Sequence, residues 1–325
     1  MEAYRAPWWL PGGDLQTLYA VLLGKRLRAP FRRERWDTPD GDFIDVDRSE
    51  GPGHAPLAVL FHGLEGSSRS HYAAAFAREA RRRGWRCAVP HFRGCSGEPN
   101  RLPRAYHSGD WAEIGWILRR FRAETPDAPV YAVGVSLGGN ALLCWLGEDA
   151  AAHETVDAAA AVSAPVDLMA AGTALGQGFN LFYTRVFLAT MKAKSRLKLA
   201  RHPGLFDGAA MLRARTLREF DDVVTAPLHG FHGVDDYWTR ASSKPRLGRI
   251  RVPTLLVNAR NDPFLPSEAL PGPHEVSSSV ELEFPEQGGH VGFVTGPFPG
   301  RLDWLPRRIL RFCEAAGRVR RSTID

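Results

Sequence analysis

The stretch that decides the fold is residues 130–139, VYAVGVSLGG. Residues 130–135 are apolar or glycine, as in a strand buried on both faces. Residues 137–146 then carry helical spacing. Between them lies Gly134-Val135-Ser136-Leu137-Gly138, a G-x-S-x-G pentapeptide. Alone it is weak, since chance supplies roughly 0.1–0.2 matches in a chain of this composition. A strand running in and a helix running out make it specific. Such a junction needs a tight turn that lifts the serine hydroxyl to the head of the helix, beside unpaired N–H groups. Gly134, Gly138 and Gly139 remove the side chains that would collide there. The plain structural alternative is a serine that merely caps a helix.

Outward from this point the chain alternates. A TPDG turn at residues 38–41 reads as a β-hairpin. Strand 57–61 precedes helix 69–83, and strand 86–90 precedes helix 108–122. Strand 130–135 precedes helix 137–146 and strand 156–162. Strand–helix alternation predicts right-handed βαβ units and a mostly parallel twisted sheet with helices on both faces. Residues 166–250 interrupt the rhythm with helical stretches and no clear strand. They include an aromatic run at 179–191 and a basic run at 192–201. Strand 252–258, a short helix near Ser267, strand 280–284 and helix 302–315 then resume it. The interruption reads as a helical cap on a single domain spanning 1–325, because the sheet needs the later strands. A separate second domain is the alternative.

A serine hydroxyl needs a base to become a nucleophile. Ser136 is therefore expected to have partners at the same sheet edge, where ligands gather in open α/β sheets. Asp262 follows strand 252–258 in Ala-Arg-Asn-Asp-Pro-Phe, and His290 follows strand 280–284 in Pro-Glu-Gln-Gly-Gly-His. His274 lies before the last strand, at the opposite end. Asp235 and Asp236 are rival acids within the cap. A developing oxyanion needs preorganised donors. The N–H groups of Leu137 and of Leu64, in His-Gly-Leu-Glu-Gly (62–66), are the candidates, with Gly63 allowing close approach. His62 is expected to shape that loop.

The chain has 325 residues, 44% hydrophobic and 24% charged, which suits a soluble globular protein. The net charge of +6 comes from 42 basic and 36 acidic residues that are scattered, with no long basic tract. This argues against a nucleic-acid partner and leaves room for weak attraction to acidic membranes or anionic substrates. Cys87, Cys95, Cys144 and Cys313 show no CxxC spacing, which suits a reducing cytoplasm. The apolar run 18–23 is too short to span a bilayer or serve as a signal. No zinc spacing, P-loop or dinucleotide fingerprint is present, so no metal or organic cofactor is expected.

Several segments together resemble the YheT-like family of α/β hydrolases, related to the eukaryotic ABHD lipases. They are PWWLPGGDLQT (7–17), HGLEGSS (62–68), HFRGCSGEPNRLPRAYHSGD (91–110), GVSLGGN (134–140), TAPLHGF (225–231), NARNDPF (258–264) and GGHVGF (288–293). They occur in family order across nearly the whole chain. The resemblance implies an α/β-hydrolase fold and an esterase-type serine hydrolase with a catalytic triad; the substrate, expected to be a small acyl ester, does not come with it. It places the nucleophile at Ser136, the acid at Asp262 and the base at His290. Eukaryotic members carry an N-terminal membrane anchor; no such segment is read in this sequence, so membrane residence is not expected to carry over. Some relatives transfer acyl groups to alcohols, an activity linked with H-x-x-x-x-D. His202 and Asp207 fit that pattern, but chance supplies roughly 0.6 matches, and cap structure is the expected role. Phe179, Phe182, Tyr183 and Phe187 suggest either an apolar acyl pocket or simple packing of the cap. The expected reaction is hydrolysis of short- or medium-chain esters. Acyl transfer and a non-catalytic binding protein are the alternatives.

Overall fold

A computed structural model describes residues 3–24 and 27–321, with side chains up to residue 317. The ends of the expected 1–325 unit lie outside the described residues. Eight strands form one sheet: β1 (Arg32–Asp37), β2 (Phe43–Ser49), β3 (Leu57–Phe61), β4 (Arg86–Pro90), β5 (Val130–Val135), β6 (Ala158–Val162), β7 (Thr254–Val257) and β8 (Val280–Glu283). Their order is β1-β2-β4-β3-β5-β6-β7-β8. The pairs of β2 with β1 and β4 are antiparallel, and the rest of the sheet is parallel.

The central strands β3, β5 and β6 are apolar because both faces are covered. In β3, Leu57, Val59 and Phe61 share a core with Leu118, Leu142 and Trp145. Ala58 and Leu60 point the other way, among Phe76, Leu305 and Ile309. Helices α3 (Trp111–Glu124) and α4 (Leu137–Glu148) thus cover one face. Helices α2 (His71–Arg82) and α12 (Trp304–Arg321) supply the other. The hairpin turn forms as expected, with Gly41 at φ +84 and its N–H on the Thr38 carbonyl at 2.9 Å.

Two strand starts move for local reasons. A short helix α5 (Ala152–Thr155) takes the residues before β6, and the Val156 N–H closes it on the Ala152 carbonyl. Strand β7 starts at Thr254, because Pro253 has no N–H for the ladder. Before the sheet, residues 13–24 form helix α1 (Gly13–Gly24).

Between β6 and β7 lie α6 (Leu168–Leu175), α7 (Asn180–Arg201), α8 (Gly208–Arg213), α9 (Leu217–Phe220), α10 (Ala226–Leu228) and α11 (Val234–Ala241). The aromatic and basic runs are one continuous 22-residue helix, α7, since no proline or glycine separates them. The change in composition marks a change of surroundings. The first half adjoins Phe264, while Lys194 and Lys198 reach the loops after β3 and β4. No helix among the described residues is long and apolar enough to cross a membrane.

The loop after β4 is anchored by Arg93, which is buried among carboxylates. Its guanidinium donates to Asp40 at 2.8 Å, Asp42 at 3.1 Å and Glu113 at 2.8 Å. Removing the cation strands buried negative charge, which costs about 3–5 kcal/mol. Arg93→Met is expected to lower the free energy of unfolding by about that amount, read from urea denaturation.

Candidate active site

The turn between β5 and α4 is built around absent side chains. Ser136 has φ 55 and ψ −123, a left-handed conformation uncommon for a non-glycine residue. A Cβ on Gly134 would sit 2.5 Å from the Gly138 carbonyl oxygen, and one on Gly138 would sit 2.5 Å from the His62 carbonyl oxygen. The Ser136 N–H is fixed on the Val162 carbonyl of the next strand at 2.8 Å. The hydroxyl is left half-buried at the N-terminus of α4.

Because β5, β7 and β8 are parallel, the loops after them emerge at one edge. Asp262 follows β7 and His290 follows β8. His290 Nε2 lies 3.0 Å from Ser136 Oγ. Its Nδ1 lies 2.9 Å from Asp262 Oδ2 and 3.1 Å from Oδ1. The carboxylate is fully enclosed and also accepts the Phe264 N–H at 2.8 Å. The Phe264 ring stacks on the imidazole at 4.1 Å between centroids. With Nδ1–H donated to Asp262, the other nitrogen keeps a lone pair facing the serine. The three residues named from the sequence are therefore joined in one hydrogen-bonded chain.

Leu64 and Leu137 line the same cavity as Ser136. Among the described residues neither N–H donates to a protein acceptor. A Cβ on Gly63 would lie 3.0 Å from Ser136 Cβ, so a side chain there would press on the serine. Tyr106 fixes the loop's next residue: its hydroxyl accepts the Glu65 N–H and donates to Glu65 Oε1, each at 2.9 Å. His62 points elsewhere. Its Nε2 accepts the Phe92 N–H and its Nδ1 donates to the Gly63 carbonyl, so it is neutral, and burial pushes its pKa down to about 3.

The rival residues take other places. Asp235 pairs with Arg218 at 2.8 Å, and Asp236 accepts from His232 N and Arg240. His274 sits in the turn Pro273–Glu275, ahead of β8. His202 bonds the Arg101 carbonyl while Asp207 caps α8, so the two serve separate ends of the helical segment.

A cavity of about 480 Å³ adjoins Ser136 and His290. Its apolar walls include Leu168, Phe187, Phe220, Val224, Trp238 and Phe264. Of the four aromatics read as either acyl-pocket lining or cap packing, Phe187 lines the cavity and the other three do not. Phe179 and Phe182 are exposed, and Tyr183 donates to Asp14 at 2.9 Å on α1. A helical stripe does not declare which of its faces meets the cavity. Sequence reasoning also missed the residues that hold the histidine loop: Gln16, Thr17, Ser163 and Asn261. The sequence signals are the runs GGDLQT (12–17) for Gln16 and Thr17 and NARNDPF (258–264) for Asn261, whose polar side chains carry no distinctive chemistry.

The comparisons with known proteins agree with this architecture. The family model described as alpha/beta hydrolase fold matches residues 56–297. YheT, an assigned esterase of Escherichia coli (strain K12), is 43% identical over 300 residues, covering 91% of this chain and 88% of YheT. The chain belongs to the YheT-like family of α/β hydrolases. Phospholipase ABHD3 of Homo sapiens is 30% identical over 97% of this chain and 79% of its own length. Among solved structures, the esterase Pf2001 of Pyrococcus furiosus superposes with a TM-score of 0.56 at 14% identity, covering 88% of this chain and 92% of that one. That likeness is one of fold.

The cavity wall also holds Asp221, buried and bonded by Thr225 Oγ1 at 2.6 Å and Trp238 Nε1 at 2.9 Å. Burial pushes its carboxyl up to about 6. The folded state therefore keeps a proton that the unfolded chain releases at lower pH. That contribution is present in acid and is lost as pH rises through the raised value. Asp221→Asn, which can serve both partners without charge, is expected to stabilise the fold at pH 8 by about 1–3 kcal/mol. The gain should vanish near pH 4, as read from denaturation at both pH values.

Proposed function

We propose that this esterase-type hydrolase cleaves carboxylic esters of short- or medium-chain acids, with Ser136 as nucleophile, His290 as general base and Asp262 as its orienting acid. The reading rests above all on the unbroken Ser136–His290–Asp262 contacts of 3.0 Å and 2.9 Å. Serine and base are within proton-transfer reach, and the base has its tautomer fixed from behind.

In this mechanism Ser136 Oγ attacks the acyl carbonyl as its proton passes to His290 Nε2. The carbonyl oxygen becomes an oxyanion, stabilised by the N–H groups of Leu64 and Leu137 and by the N-terminal end of α4. The tetrahedral intermediate collapses, His290 protonates the leaving alcohol, and an acyl-enzyme remains. Water, deprotonated by His290, then attacks the ester carbonyl. Ser136 leaves with the proton returned to it, and the acid departs. The apolar cavity of about 480 Å³ suits an acyl chain. The name of the relative ABHD3 points to ester bonds in lipids.

Hydrolysis of a series of 4-nitrophenyl esters with increasing acyl length tests this. We expect activity on the short- and medium-chain esters. Ser136→Ala should lose about 10⁴-fold or more in kcat. A fluorophosphonate probe should label the wild type and spare Ser136→Ala. A folded wild type that is neither labelled nor active would show a binding protein instead. Ester products that accumulate when an alcohol is added would show acyl transfer from the same acyl-enzyme.

A further inference from the structure

The loop that carries His290 is strained. Gly288, Gly289, Val291 and Phe293 all have positive φ, at 147, 61, 58 and 42. A β-branched residue such as Val291 rarely adopts that conformation. Such backbone persists only where its surroundings over-determine it.

The restraints come from side chains distant in sequence. The Gly288 N–H donates to Gln16 Oε1 at 2.8 Å, and the Gly289 N–H to Asn261 Oδ1 at 3.0 Å. The His290 N–H donates to Thr17 Oγ1 at 2.8 Å, and the Val291 N–H to Ser163 Oγ at 3.1 Å. His71 Nε2 donates to the Val291 carbonyl at 3.1 Å. Four successive amides thus end on side chains, two of them from α1.

Those two are themselves fixed. The Thr17 hydroxyl donates to the Gly13 carbonyl at 2.7 Å, so its lone pairs face His290. Gln16 is fully buried, and its amide donates to the Leu10 carbonyl and to Gln287 Oε1, each at 3.0 Å. Gln16 Oε1 also accepts from Asn261 Nδ2 at 3.0 Å, the residue beside Asp262. The fit leaves no slack. A Cβ on Gly13 would lie 2.0 Å from the Asn261 carbonyl oxygen, and one on Gly289 would lie 2.5 Å from the Gly13 carbonyl oxygen. One turn of α1 therefore touches the loop of the acid and the loop of the base together.

We propose that Gln16 and Thr17 are positioning residues that hold His290 in register with Ser136 and Asp262. The inference rests on His290 being the general base. Thr17 acts on the imidazole through the backbone: it fixes the His290 amide and therefore the direction of the side chain. Gln16 does the same two residues upstream, and it ties that loop to the acid's loop through Asn261. Displacement of a reacting group by about 1 Å is worth up to about 100-fold in rate. The burden of a misplaced base falls on kcat, because the cavity that binds the acyl group is unchanged.

The test compares Thr17→Val, which keeps the volume and loses the acceptor, with Thr17→Ser, which restores it. Hydrolysis of 4-nitrophenyl butyrate gives kcat and KM, and Ser136→Ala is the control. We expect Thr17→Val to lower kcat by about 10–100-fold with KM within about twofold of wild type. Fluorophosphonate labelling should slow in parallel, and Thr17→Ser should recover most of the loss. Wild-type kcat in Thr17→Val, or equal impairment in Thr17→Ser, would overturn the inference. If Ser136→Ala stays active, the underlying assignment of the nucleophile fails instead, whatever Thr17 does. Should Thr17→Val not fold, Gln287→Ala carries the test. It is an exposed position whose carbonyl oxygen holds both Gln16 and Asn261. A fall in kcat of about threefold or more, at unchanged melting temperature and KM, supports the proposal. An unchanged kcat overturns it.

Discussion

Everything at this site depends on Ser136 being held in a left-handed backbone conformation between β5 and α4. That conformation costs on the order of 1–3 kcal/mol for a residue with a side chain. It is stable here because the serine amide is bonded to β6 and because Gly134 and Gly138 leave no side chains in the turn. The hydroxyl would otherwise lie along the start of a helix, where it would cap N–H groups. Held out of line, it leaves those groups free and meets the imidazole.

The parallel sheet turns that local strain into a site. Strands β5, β7 and β8 end at the same edge, so three loops far apart in sequence converge. Ser136 and His290 are 154 residues apart and share a 3.0 Å contact. The sheet alone does not fix His290, because the backbone around it takes positive φ at Gly288, Gly289, Val291 and Phe293. Helix α1 supplies what is missing. It lies at the start of the chain, yet its Gln16 and Thr17 close on the histidine loop, and Asp14 bonds Tyr183 of α7. The N-terminal turn thereby touches the sheet-edge loops and the helical segment that walls the cavity.

Much of this was legible in the sequence, for physical reasons. Strand Leu57–Phe61 is buried on both faces, so its apolar run stands out with its boundaries intact. Ser136, Asp262 and His290 have distinctive chemistry, and their order and loop context singled them out. What remained hidden was orientation and long-range contact. Phe182 shares a helix with Phe187 and Phe179 directly precedes it, and only packing reveals that Phe179 and Phe182 face outward. Gln16 and Thr17 are ordinary polar residues whose importance lies in neighbours more than 240 positions away. The unity of α7 was obscured by a change from aromatic to basic side chains, which reflects two environments along one helix.

The most direct test of the account is to catch the acyl-enzyme. Wild-type protein mixed with excess 4-nitrophenyl butyrate and quenched in acid within milliseconds should gain the mass of one butyryl group. Peptide mapping should place that group on Ser136. Ester turnover with no such adduct, or with the group on another residue, would contradict the account.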